Sequence, residues 1–229
     1  VIGLASDYDL LDEIAALIIM KKTEPFVQKL LDRTPRILYD KQRTCSAWKG
    51  VCPMRLAQNH TAECRIVIAE THDEVVRYAA DELARCLFKM CGASFPIASD
   101  LLALRKNDIL LGENRHTEAL GLTARIEALP KEGFFYCTKE DHLVIGGKGR
   151  GLLYGVYAFL EDVLGCRFFT PEITHIPQRC CIELPALDHT EAPVMEYREP
   201  YLTECKNPDF SARRRVNGQS VPFLKKHGG

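Results

Sequence analysis

The run VIGGKGRGLLYGVYAFLEDVLGCRFFTPE, from Val144 to Glu172, constrains this chain more than any other segment. An apolar strand enters a glycine-rich turn, a nearly all-apolar helix follows, and a second strand closes the run. A helix that is apolar on every side has to be buried. The strand–turn–helix context would also suit an anion at a helix N-terminus, but the residues do not. The dinucleotide fingerprint needs G-x-G-x-x-G, and the phosphate loop needs G-x-x-x-x-G-K-[ST]. Counted from Gly147, the third glycine position holds Leu152; counted from Gly149, it holds Tyr154, one residue before Gly155. Lys148 is followed by Gly149, so the hydroxyl that would bind magnesium is missing. The favoured reading is a structural bend, in which glycines supply positive φ and close backbone approach.

The elements before and after this run read from periodicity. Arg65 to Ala69 is a β-branched strand, and Thr71-His72-Asp73-Glu74 has capping-box spacing, with Thr71 as N-cap. A helix continues through Val75, Val76, Ala79, Ala80, Leu83 and Leu87 and stops at Gly92, a suitable left-handed residue. Short strands are expected at Phe95–Ala98 and Asp108–Leu111. A hairpin is expected from Gly133–Thr138 to His142–Ile145. After the buried helix Gly151–Leu164 come strands at Cys166–Phe169 and Cys180–Leu184. Upstream, Asp7 to Met20 reads as an amphipathic helix. Phe26 to Leu31 resumes it after Pro25, Arg36 to Tyr39 reads as a short strand, and Lys41 to His60 is irregular around Trp48. This order predicts an α+β fold, a two-layer sandwich of a mixed β-sheet with two main helices on one face.

Composition excludes some classes of function. The net charge is -1, so no global field draws the chain to nucleic acid or to a membrane surface. The apolar stretch Ile14–Met20 is far shorter than the roughly 18 residues a membrane span needs, and acidic residues precede it. Neither a nucleic-acid nor a membrane partner is expected. Ten cysteines form no C-x-x-C pair. Free, mostly buried thiols in a reducing cytoplasm are the first reading, disulfides the second and a metal site the third.

Few residues point to chemistry. His72-Asp73-Glu74 is not an HExxH helix, because glutamate does not follow His72 and position 76 is Val76. His116, His142 and His175 stand alone. Asn59-His60-Thr61 forms a glycosylation sequon, a triplet common by chance. The run Arg213-Arg214-Arg215 lacks interleaved aromatics and reads as a helix face or a buried anchor. Met195 to Cys205 alternates loosely as a strand, with Arg198-Glu199 at its centre. Charges there fit either a cross-strand salt bridge or a ligand-facing pair at the mouth of a barrel.

IVIAETHDEVVRYAADELARCLFKMCGASFPI, ILLGEN, the opening run, ELPALD, YREPY and ARRRVNG occur in that order. Together they resemble the N-terminal region of a bacterial glycoside hydrolase group. Its relatives are the α-glucuronidase N-terminal domain and the accessory domain before the β-hexosaminidase barrel. The resemblance spans roughly residues 61 to 220. It implies three parts: 1–60 unassigned, 61–190 a non-catalytic α+β accessory domain, and 191–229 the start of a (β/α)8 catalytic barrel with Met195–Cys205 as its first strand.

The resemblance implies further that Arg198 and its neighbour Glu199 hold substrate. It implies a carbohydrate as the substrate of that barrel, intramolecular docking to the barrel, and no cofactor or metal. Hydrolysis of a glycoside needs two placed carboxylates, and no residue here matches the family's pair. The expectation is therefore an accessory piece of a glycosidase that is inactive alone. Two rivals stay open: a carbohydrate-binding or scaffolding module acting by itself, and a nucleotide-binding domain using Gly146–Gly155.

Overall fold

The structure, a computed structural model, describes residues 54–229. The elements expected at Asp7–Met20, Phe26–Leu31 and Arg36–Tyr39, and Trp48, lie outside the described residues. The first strands are β1 (Met54–Gln58), β2 (Thr61–Ala62) and β3 (Ile66–Ile68), followed by helix α1 (Glu74–Cys91). Next come β4 (Ile97–Ser99), β5 (Ile109–Leu111), and the short helices α2 (Arg115–Ala119) and α3 (Thr123–Glu127). The hairpin β6 (Phe134–Lys139) and β7 (His142–Gly147) leads into α4 (Arg150–Ala158), which ends in a π-helical turn, Phe159–Val163. The last strands are β8 (Arg167–Phe168), β9 (Thr174–His175), β10 (Cys181–Leu184) and β11 (Asp188–Glu191), and α5 covers Pro208–Arg213.

The central sheet has six strands in the order β11-β6-β7-β5-β3-β4. Its β4-β3-β5-β7 half is parallel, while β6 and β11 are antiparallel additions. Helices α1 and α4 both pack on one face, as the apolar patterns require. Their Leu83, Leu87, Leu153 and Val156 share a core with Ile66, Ile109, Tyr136 and Ile145. The other face is not bare. Leu122, Ile126 and Leu129 cover Val67, Leu110, Phe135 and Val144 there.

Several expectations are corrected in detail. The strands do not all join one sheet: β10-β1-β2 and β8-β9 form separate small sheets. The cap of α1 is Asp73, whose carboxylate accepts from the Val76 N–H at 2.9 Å, so the helix starts two residues later than a Thr71 cap implies. Gly92 ends it in the left-handed conformation, as expected. The strand expected at Met195–Cys205 does not form. That stretch has no ladder partner among the described residues and ends in a 3-10 turn, Thr203–Lys206. Pro200 removes a donor there, and the apolar residues point outward instead of into a core. No barrel strand is therefore present at that position among the described residues.

Cys64, Cys86, Cys91, Cys137, Cys166 and Cys205 are buried thiols. Burial pushes the Cys86 thiol up to about 11 and the Cys166 thiol up to about 12, so neither supplies thiolate near neutrality. Alkylation with iodoacetamide followed by peptide mass mapping is expected to label exposed Cys180 in the native protein and these six only in denaturant. Rapid native labelling of Cys86 or Cys166 would contradict this placement.

Candidate functional site

The parallel strands β3, β5 and β7 direct their carboxyl ends to one edge of the sheet. From β3 the chain leaves through α1 to β4 on one side, while β5 pairs on the other. The edge between β3 and β5 is thus a topological switch point, where open α/β sheets form a crevice. A cavity of about 330 Å³ lies there, between Thr71-His72-Asp73 after β3, Gly112-Glu113 after β5 and Gly147-Lys148-Gly149 after β7.

The glycine-rich turn borders this crevice, and backbone packing accounts for its glycines. Gly149 precedes α4 at φ 51 and offers no side-chain cap. A Cβ on Gly147 would sit 2.4 Å from the Leu152 nitrogen, and one on Gly151 would sit 2.4 Å from the Gly133 carbonyl oxygen. These positions let α4 lie against its own sheet without a gap. Gly151→Ala is expected to destabilise the domain by at least about 1–3 kcal/mol, because the clash is with backbone and no rotamer relieves it. A thermal melt unchanged from that of the parent would contradict this.

A second cavity, about 610 Å³, lies on the other flank of Lys148–Gly149. Its floor is Glu132, a buried residue held at φ 59. Glu132 Oε2 accepts from Arg198 Nη2 at 2.5 Å and from Asn217 Nδ2 at 3.0 Å. Arg150 Nη1 stands 3.6 Å from Oε1. The remaining Arg150 nitrogens donate to the carbonyls of His227, at 2.9 Å, and Gly228, at 3.0 Å.

Arg198, expected to face a ligand, is thus joined to a carboxylate far away in sequence. Its other nitrogens donate to main-chain oxygens, Nε to Arg215 at 2.8 Å and Nη1 to Met195 at 2.7 Å. Glu199 accepts from the Ser220 N–H at 3.0 Å and from the hydroxyls of Ser220 and Tyr197, and its side chain lies over Gly218. The two neighbours therefore face different partners. Glu132, Arg150 and Asn217 were not marked as site residues by the sequence.

The basic run pairs with carboxylates of the fold. Arg213 pairs with Glu82 of α1 at 3.4 Å, and Arg214 and Arg215 pair with Glu161 in the π-helical turn at 3.5 and 3.6 Å. Burial opposes ionisation of Glu82. Hydrogen bonds from Arg85 and the charges of Arg85 and Arg213 overcome it and hold the carboxyl below the usual carboxylate range. At Glu161 burial prevails over Arg215 and Arg214, and its carboxyl is raised. Asp209 accepts from Tyr78, Lys226 and His227 at 2.7 to 2.8 Å. The fully buried His227 takes the Leu224 N–H on Nδ1, so Nε2 carries the proton it gives to Asp209. Among the described residues no three His, Cys, Asp or Glu side chains are placed to hold a metal ion. No described helix is long and apolar enough to cross a membrane.

Comparison with known proteins finds a family model that matches part of the chain. Residues 49–159 match the glycosyl hydrolase family 67 N-terminus. The matched segment runs from before β1 to the end of α4 and the first residue of its π-helical turn. It includes Glu82, Glu132 and Arg150, while Arg198, Asn217 and the basic run lie beyond it. Among solved structures, the chain is similar to a family GH115 4-O-methyl-α-glucuronidase with specificity for decorated arabinogalactans. That likeness has 18% identity over 75% of this chain and 27% of the other, with a TM-score of 0.49. It is also similar to the GH20 β-N-acetylhexosaminidase of Streptomyces coelicolor A3(2), at 16% identity over 65% and 25% of the two chains, TM-score 0.41. The chain spans about a quarter of the length of these structures. No curated protein matches it.

Proposed function

We propose that the chain is the non-catalytic front region of a glycoside hydrolase and supports a (β/α)8 barrel that acts on carbohydrate. The family 67 N-terminal match over residues 49–159 carries this reading. The carboxylates support it through their employment: Glu82, Glu132, Glu161, Asp108 and Asp209 all serve as acceptors within the fold. The buried thiols fit a reducing compartment such as the cytoplasm.

The docking face proposed for the barrel is the exposed apolar set Val194, Met195, Tyr197, Tyr201, Leu202 and Leu224. Apolar side chains gathered on one segment mark an interaction surface. Arg198 and Glu199 enter this reading through position: Arg198 ties the segment 194–220 to Glu132 of the domain, Glu199 ties Ser220 to Tyr197 within the segment, and together they set where that face points toward a substrate-bearing partner. Residues 61–190 and 191–229 keep their proposed roles as accessory domain and barrel-proximal segment.

Fluorescence of anilinonaphthalene sulfonate with the purified chain tests the docking face. Dye binding is expected, and Tyr201→Ser combined with Leu202→Ser should remove most of it without lowering the melting temperature. Absent dye binding, or binding that survives the substitutions, would overturn the docking face.

A further inference from the structure

No main-chain hydrogen bond among the described residues joins residues 194–229 to the chain before them. The segment closes on itself instead. The Asn217 N–H donates to the Arg198 carbonyl at 3.1 Å, the Arg198 N–H donates to Asn217 Oδ1 at 2.8 Å, and Ser220 donates to Glu199. Side chains fasten it to the domain. Glu132 holds Arg198 and Asn217, Glu161 faces Arg214 and Arg215, Glu82 faces Arg213, and the Tyr78 hydroxyl donates to Asp209 at 2.8 Å. Arg150 and Tyr154 reach the carbonyls of His227, Gly228 and Val216.

Two terms work against this closed position. Arg213 Nε and Arg215 Nη1 are buried without a hydrogen-bond partner, and water would restore what such donors lack. Arg215 is also held at φ 58, backbone that a non-glycine residue keeps only where its surroundings impose it. The segment places Cys205, Phe210 and Ala212 in the main core, and the domain supplies the rest. Few buried apolar contacts and no shared ladder mark a region that opens before the whole.

We propose that residues 194–229 form a strap that opens from the domain as one cooperative unit, turning at Ala192 and Pro193 after β11 and released at Tyr78, Glu82, Glu132 and Glu161 together. The exposed apolar residues Met195, Tyr201 and Leu202 ride on this strap. A partner that grips them in one position of the strap therefore shifts its opening. Helix α5 has six residues and does not hold alone, so lifting the strap frees its amides to exchange. The inference concerns the fastening and stands whether or not that face meets a barrel. Dye binding at the face and exchange in the strap can thus fail separately.

Native-state hydrogen exchange of the 15N-labelled chain, followed by NMR over low urea concentrations, tests it. The amides of Arg198, Ser211, Arg214, Asn217 and His227 are expected to share one opening free energy, lower than that of Leu143 in the sheet. Tyr78→Phe should speed exchange of all five strap amides by the same factor, about tenfold, the loss of a hydrogen bond to a charged group. Arg198 and Asn217 answer then as strongly as Ser211, although Tyr78 bonds only Asp209 among strap residues. Ile109→Val, in the sheet core, should speed Leu143 about threefold or more and leave the strap amides unchanged. Strap amides as protected as Leu143, a Tyr78→Phe effect that is absent or confined to Ser211 and Arg214, or strap amides that follow Ile109→Val would each overturn the proposal.

Discussion

Asp108→Ala is expected to lower unfolding stability by about 3–5 kcal/mol, the cost of breaking a buried ion pair from one side. Asp108 has no exposed surface and sits just before β5. Its Oδ1 accepts from the Arg65 backbone N–H at 3.0 Å and from Arg65 Nε at 3.2 Å. Its Oδ2 accepts from Arg65 Nη2 at 2.5 Å and from the Arg105 N–H at 2.8 Å. Removing it orphans a buried guanidinium and two main-chain donors at the entrance of adjacent parallel strands. Urea unfolding of the variant should show the lowered midpoint.

The effect should depend on pH with a defined sign. Burial works against the charged form of Asp108, but the hydrogen bonds from Arg65 and the Arg105 N–H outweigh it, and the folded carboxyl titrates below its usual value. Such a group contributes stability above the unfolded pKa of about 3.9, and the contribution is lost as pH falls through the folded value. The gap between parent and variant should be full near neutrality and narrow in acid. A gap that stays constant or widens below pH 4 would contradict the arrangement.

Glu82→Ala should be of similar size, about 3 kcal/mol or more, and should act at a distance. Glu82 is buried on α1, where Arg85 donates two hydrogen bonds to it at 2.8 and 2.9 Å and the Tyr157 hydroxyl of α4 one at 2.9 Å. Arg213 completes the set from α5, and its Nε already lacks a partner. Without Glu82, the half-buried Arg213 loses its carboxylate partner. Residues 194–229 should then become sensitive to trypsin at conditions where the parent resists. Arg213→Met on the Glu82→Ala background should restore part of the loss, because it removes the orphaned charge and keeps the volume. Additive losses in the double variant would contradict a shared network.

Elements that rest on local pattern were legible in the sequence. The 3.6-residue spacing of α1, the left-handed stop at Gly92 and the hairpin closed at Lys139–His142 all depend on neighbours in the chain. The first turn of α1 was legible except for its cap: Thr71 and Asp73 both had suitable side chains, and only the approach of Val76 N–H to Asp73 separates them. Helices α2 and α3 have five residues each, too few to show a period. The division into three sheets depends on pairings such as Met54 with Leu184, which no local pattern encodes.

At the candidate site, charge at Arg198 was a sound signal that a partner existed. The partner, Glu132, was not legible, because it is distant in sequence and sits in a polar turn that reads as solvated. Alternation at Met195–Cys205 misled for a related reason. Its apolar side chains are exposed, and period two marks a strand only when one face is buried.

The central claim is that this region supports glycoside hydrolysis and does not perform it. The most direct measurement is turnover by the purified chain on 4-nitrophenyl α- and β-glycosides, including glucuronides and N-acetylhexosaminides. The account predicts no release of nitrophenol above the rate without protein. Sustained release that is abolished by substituting a carboxylate at the sheet-edge crevice, Asp73 or Glu113, would contradict it.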